Sequence, residues 1–182
     1  MPTQAPKCLP WVDYPAGNDG MTGASDILVV GVGNLLLRDD GVGIHAIHAL
    51  QADPPPGVTL LDAGTAILHA LPFVAAAGRV LVIDAARGGK PPGSIYLFEG
   101  VAGVPEDGLS SLHALGLREA MRVLDPETPM PPVTVVGVEP ENMDYGMELT
   151  VDVAAALPRV VGLVRRLVAE WSPALAGAGA VQ

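Results

Sequence analysis

Residues 26–32 read DILVVGV, and the same pattern returns at 79–84 (RVLVID) and 133–138 (VTVVGV). Each is a near-continuous run of Val, Leu and Ile with no charge in its body. A strand with one wet face alternates apolar and polar side chains. A run that does not alternate belongs to a strand covered on both faces, as in a parallel sheet packed between helices. Two further strands are predicted at 58–62 and 94–99, and helices at 42–52, 66–77, 111–124 and 151–171. In the third helix Leu117, Met121 and Leu124 fall on one face. Pro158, inside the fourth, is expected to kink it or open a second segment there.

Short aliphatic strands alternating with helices predict an α/β three-layer sandwich: a mostly parallel, twisted five-stranded sheet with helices on both faces. The first two strand-to-strand connections have room for a right-handed helical crossover. Residues 85–92 do not, so the fourth strand is expected to run antiparallel, as a hairpin or at the sheet edge. On either side of this pattern the composition changes. Residues 1–25 are rich in Pro, Gly and small polar types, and the tail SPALAGAGAVQ at 172–182 is similar. The expected organisation is a flexible extension (1–25), a single α/β domain (26–171) and a flexible tail (172–182).

A chain of 182 residues, 49% hydrophobic, has enough material for one sizeable core, and with 4% aromatics that core must be aliphatic. The net charge of -10 repels phosphate backbones and anionic lipid, which argues against nucleic-acid and membrane partners and leaves a cationic peptide or a metal-bearing partner open. The one cysteine, Cys8, forms no internal disulfide and fits a reducing compartment. The first twenty residues contain no apolar run of the kind found in signal peptides, and nowhere do about 18 uncharged apolar residues follow one another. A cytoplasmic protein is expected.

The acids are not scattered. Asp39 and Asp40 follow the first strand, Asp62 ends the second, Asp84 ends the third and Glu139 follows the fifth. All five fall at the carboxyl ends of strands expected to be parallel, the edge at which open α/β sheets bind ligands. Acids there also cap helices, so the placement alone does not distinguish a site from a set of caps. Carboxylates joined by an imidazole would suit a borderline divalent metal such as Ni²⁺ or Zn²⁺. Of the four histidines, His45 and His48 lie at i and i+3 on the first helix and read more readily as a solvated face than as a metal pair. His69 lies in an apolar helical run and reads as packed. His113, in SSLHALGL, falls in the first turn of a helix capped by Ser110 or Ser111, where the helix dipole disfavours imidazolium and keeps the ring neutral, as a metal ligand must be.

Gly31-Val-Gly33-Asn34, then LLLRD and Asp40-Gly41-Val-Gly43, resembles the opening of the [NiFe]-hydrogenase maturation endopeptidases. Asp62-Ala-Gly64-Thr65, Val82-Ile-Asp84-Ala85, Leu112-His113-Ala-Leu-Gly116-Leu117 and Gly137-Val-Glu139-Pro140 continue the likeness in the family's order and spacing, over roughly residues 26–170. The resemblance implies an endopeptidase that removes the C-terminal peptide of a nickel-loaded hydrogenase large-subunit precursor. It implies that Asp40, Asp84 and His113 form the catalytic, metal-binding set. Nickel would arrive with the substrate, and the free enzyme would hold a divalent metal only weakly. Residues 62–65 match a turn beside the site that supplies no ligand. Many members carry Glu where this chain has Asp40, so its loop must approach the metal more closely, or the metal must lie nearer the first strand.

Two other readings compete. A dinucleotide-binding oxidoreductase would use Gly31, Gly33 and Asp62, but Leu36 occupies the third glycine position, and Asp39 and Asp40 would repel a pyrophosphate. A non-catalytic nickel chaperone would need the same three ligands. Conventional hydrolases lack support: there is no G-x-S-x-G elbow and no H-E-x-x-H, and Cys8 is remote from every histidine.

Overall fold

The computed structural model describes residues 27–100 and 131–178. Five strands, β1 (Ile27–Val32), β2 (Val58–Gly64), β3 (Arg79–Ala85), β4 (Ile95–Glu99) and β5 (Val133–Val138), form one sheet in the order β2-β1-β3-β5-β4. The pairs β1–β2, β1–β3 and β3–β5 are parallel, and β4 runs antiparallel to β5 at the edge, as the short 85–92 connection requires.

Why the strand sequences do not alternate is visible in the packing. Ile27 and Val29 of β1, Leu81 and Ile83 of β3, and Val136 and Val138 of β5 meet helices α1 (Val42–Gln51) and α3 (Val151–Ala178). The intervening residues, Leu28, Val30, Val80, Val82, Val133 and Val135, meet Ala70, Leu71 and Val74 on the opposite face, where α2 (Leu71–Ala76) packs. Both faces of the central strands are therefore covered by helices, and the three-layer arrangement follows.

Three local expectations are corrected. The helix predicted at 66–77 is split into a 3-10 turn (Ile67–Ala70) and α2, because Pro72 has no N–H to donate and is accommodated in the first turn of a new α segment. His69 lies exposed on that turn rather than packed. Helix α3 opens no second segment at Pro158 and continues past residue 171 to Ala178. Pro158 lies on its exposed face, where water can meet the carbonyl that proline leaves unbonded. The buried stripe Val153, Ala156, Val160, Val164, Leu167, Val168 and Trp171 holds both halves against the sheet. The predicted helix at 111–124 and the extension at 1–25 lie outside the described residues.

Two glycines bring the site's elements together. A Cβ on Gly43, in the first turn of α1, would lie 2.2 Å from the carbonyl oxygen of Ile83 and 2.5 Å from that of Val32. Only a bare Cα lets the start of α1 press on the ends of β1 and β3. Gly33 has φ +137°, and a Cβ there would lie 1.8 Å from the carbonyl oxygen of Asp40. Together they fold residues 33–43 tightly over the carboxyl edge of the sheet.

Candidate active site

Strand β1 is flanked by β2 and β3, so the chain leaves β1 in one direction and returns on its other side. The crevice between β1 and β3 is thus the topological switch point, the place where a sheet of this kind leaves room for a ligand. Asp84 is the penultimate residue of β3 and is fully buried. Asp40 is 6% exposed and lies on a 3-10 turn, Arg38–Gly41, that packs against β3. Its Oδ2 accepts a hydrogen bond from the Asn34 N–H at 2.8 Å. Of the three predicted ligands, Asp84 therefore lies in β3 and Asp40 on the turn that follows β1. His113 lies outside the described residues, and among those residues no three His, Cys, Asp or Glu side chains gather into a metal site.

The turn that carries Asp40 is strained and braced. Arg38 has φ +46°, a left-handed conformation that costs a non-glycine residue about 1 kcal/mol or more. The bracing comes from the chain that follows β5: the Arg38 N–H donates to the Gly146 carbonyl at 2.8 Å, and the Gly146 N–H donates to the Leu36 carbonyl at 3.0 Å.

Asp39, counted with Asp40 among the acids of the edge, does a different job. It is fully buried, and its Oδ2 accepts from the backbone N–H groups of Glu141 and Asn142 at 2.9 Å each. Its Oδ1 accepts from the Thr150 N–H at 2.8 Å, and the Thr150 hydroxyl bonds the same carboxylate. Donors converge on both of its oxygens, which makes it a clamp for the 141–150 loop. Glu139 repeats the device on the other flank. Its Oε2 accepts from the N–H of Gly88 at 2.7 Å and of Lys90 at 3.2 Å, and from the Tyr96 hydroxyl, tying the β3–β4 connection to the end of β5. Burial alone would raise the Glu139 pKa, but the Tyr96 hydroxyl and the N–H groups of Gly88, Lys90 and Gly89 outweigh it and hold the carboxyl below its ordinary range. Burial and the same hydrogen bond push the Tyr96 phenol up.

The remaining acid, Asp62, is on the surface. It pairs with His48 Nε2 at 3.3 Å and accepts from the Gly64 N–H at 2.9 Å. His45 and His48 do not form a pair: His48 is half exposed beside Asp62, whereas His45 Nε2 is buried with no hydrogen-bond partner among the described residues. Of the five acids, Asp39 and Glu139 are thus loop clamps and Asp62 a surface pair, while Asp40 is buried in the turn after β1 and Asp84 near the end of β3. Thr150 and Tyr96, which complete the clamps, carry no local signal: Thr150 is 111 residues from Asp39 in sequence. An open groove of about 530 Å³ beside β4, lined by Ile95, Leu97, Arg159, Gly162, Leu163 and Arg166, includes none of these acids.

A sequence model of the hydrogenase maturation proteases matches residues 44–167. The chain belongs to the hydrogenase maturation protease family. The hydrogenase expression/formation protein HupD of Rhizobium leguminosarum bv. viciae is 31% identical over 174 residues, spanning 90% of this chain and 83% of the relative. The hydrogenase 2 maturation protease of Escherichia coli is 33% identical over 157 residues, 81% of this chain and 95% of that one. Among solved structures, the hydrogenase maturating endopeptidase HybD from E. coli superposes with a TM-score of 0.71 at 30% identity, covering 80% of this chain and 93% of HybD. The [NiFe] hydrogenase maturation protease HybD from Thermococcus kodakarensis gives 0.69 at 26% identity, covering 78% and 98%. This hydrogenase maturation protease is accordingly a peptidase, and the dinucleotide-binding reading is set aside. The fold agrees: residues 33–41 separate β1 from α1, so α1 starts too late to follow a dinucleotide-binding turn.

Proposed function

We propose that this protease removes the C-terminal peptide from the large-subunit precursor of a [NiFe]-hydrogenase after nickel insertion, and that Asp40, Asp84 and His113 read the nickel carried by that precursor. What supports this reading is that two buried acids, Asp40 in the turn after β1 and Asp84 near the end of the adjacent β3, lie at the carboxyl edge of the sheet in a chain of this family. Oxygen donors with one imidazole match a borderline divalent ion. Nickel, held by the precursor, supplies an electrophile that polarises the scissile carbonyl or lowers the pKa of an attacking water. The two aspartates and His113 orient the precursor against that centre, and one aspartate accepts the proton of the water. Three protein ligands hold free metal weakly, so the substrate's own nickel becomes the signal to cut, which keeps cleavage after metal insertion.

The same reading assigns the reaction to the cytoplasm, on chemical grounds. Nickel bound by thiolates needs a reducing compartment, and the lone Cys8 leaves the chain independent of internal disulfides. No described helix is long and apolar enough to cross a membrane.

The test is incubation of the enzyme with nickel-loaded and nickel-free precursor, followed by mass measurement of the large subunit. Loss of a C-terminal peptide from the loaded form alone is expected. Equal cutting of the nickel-free form would overturn nickel recognition, and binding of the loaded form without any cut would make the protein a chaperone.

A further inference from the structure

Among the described residues most large apolar side chains are buried, yet Leu36 is 57% exposed, Tyr145 87% and Met147 59%. The three are neighbours. Leu37 and Gly146 form an isolated parallel bridge, and the Gly146 N–H donates to the Leu36 carbonyl, so Tyr145 and Met147, on either side of Gly146, share one ridge with Leu36. The ridge is held rigidly from below. The fully buried Asp39 carboxylate gathers the N–H groups of Glu141, Asn142 and Thr150, and the Asp144 N–H closes a turn on Asn142 Oδ1 at 2.6 Å. A loop that displays apolar groups outward on a fixed backbone avoids much of the ordering cost of binding. Exposed aromatic and Met side chains held together in this way mark protein-contact surfaces.

Position and charge identify the occupant. Leu36 precedes Asp40 by four residues on one braced loop, so the ridge begins within about 14 Å of Asp40, the reach of four extended residues. Glu141, Asp144 and Glu148 are exposed among the apolar residues of the same loop, so the surface is acidic as well as apolar. A basic, apolar peptide complements it, and the peptide that must pass this edge is the substrate's. We propose that Leu36, Tyr145 and Met147 form a docking ridge for an apolar segment of the precursor that carries Lys or Arg and adjoins the scissile bond. The inference rests on the peptidase reading of the same edge. It adds the residues that select the substrate chain to those that read its metal.

Steady-state cleavage of nickel-loaded precursor by the full-length enzyme tests it, with the Tyr145→Ser/Met147→Ser double variant beside wild type. The double variant is expected to raise KM roughly tenfold or more, the loss typical of removing interface anchors, with kcat within about twofold and an unchanged melting temperature. Added salt should raise the wild-type KM, and less so for Asp144→Asn/Glu148→Gln. An unchanged KM in the double variant overturns the ridge, as does a loss confined to kcat. It is equally overturned if the substitutions alter only the sedimentation of the enzyme alone, because the ridge would then seat a second copy of the chain. Wild type that leaves loaded precursor uncut rejects the peptidase reading itself, whereas normal wild-type cleavage with unaltered variants rejects the ridge alone.

Discussion

Asp39 and Asp40 are adjacent in sequence, share one 3-10 turn and are both buried, yet their carboxylates meet different segments of the chain. Asp39 points into the 141–150 loop and is surrounded by donors. Asp40 lies where the turn packs against β3, the strand that carries Asp84, and its Oδ2 accepts from the Asn34 N–H of its own loop. The device recurs across the edge: at Asp39 and at Glu139 a buried carboxylate becomes a fastening for a loop. A buried acid in this fold is therefore no sign of catalysis by itself.

The contrast is broken most severely at the centre. Asp84→Asn and Asp40→Asn each keep the volume and remove the charge, so precursor processing should fall by at least about a hundredfold while the melting temperature changes little. Processing assays beside thermal denaturation check this. Normal cutting by either variant would remove that residue from the catalytic set.

The effect at the first flank should fall on stability instead. Asp39→Ala leaves the N–H groups of Glu141, Asn142 and Thr150 facing a void, with an expected loss of about 3 kcal/mol or more in urea unfolding. Asp39→Asn, which retains one acceptor oxygen, should lose less. An Asp39→Ala protein as stable as wild type but inactive would place Asp39 with Asp40 and dissolve the distinction.

The smallest effect is expected at the second flank. Glu139→Gln keeps an acceptor but weakens charge-assisted bonds from Tyr96, Gly88 and Lys90, a cost of about 1–2 kcal/mol at neutral pH. Because folding lowers the pKa of Glu139, its stabilisation is present above the ordinary carboxyl range and fades as pH falls through the lowered value. The gap in stability between wild type and Glu139→Gln should thus narrow on acidification, as melting temperatures across pH 7 to 3 would show. A gap independent of pH would mean that the carboxylate charge contributes nothing.

Much of the fold was legible in order. The runs at 26–32, 79–84 and 133–138 gave themselves away as doubly covered strands because no charge interrupts their bodies, and the shortness of 85–92 was enough to turn β4 antiparallel. Errors came where a local rule met tertiary context. Pro72 divided the second helix, whereas Pro158 did not divide the last one, because its buried stripe packs on the sheet along both halves. The edge position of the acids was legible too, but their roles were not: a carboxylate's role depends on its partners, and those of Asp39 lie more than 100 residues away.

The sequence by itself determined the layers, the mostly parallel strand directions and the gathering of acids at one edge, since burial period, connection length and strand ends are all local properties of the chain. Only the tertiary structure decided that Asp39 and Glu139 fasten loops while Asp62 pairs with His48 at the surface, and that exposed apolar side chains stand on the loop that Asp39 holds. Those outcomes depend on which distant N–H groups and side chains arrive at each position, and in a parallel sheet that is settled only when the crossovers have packed.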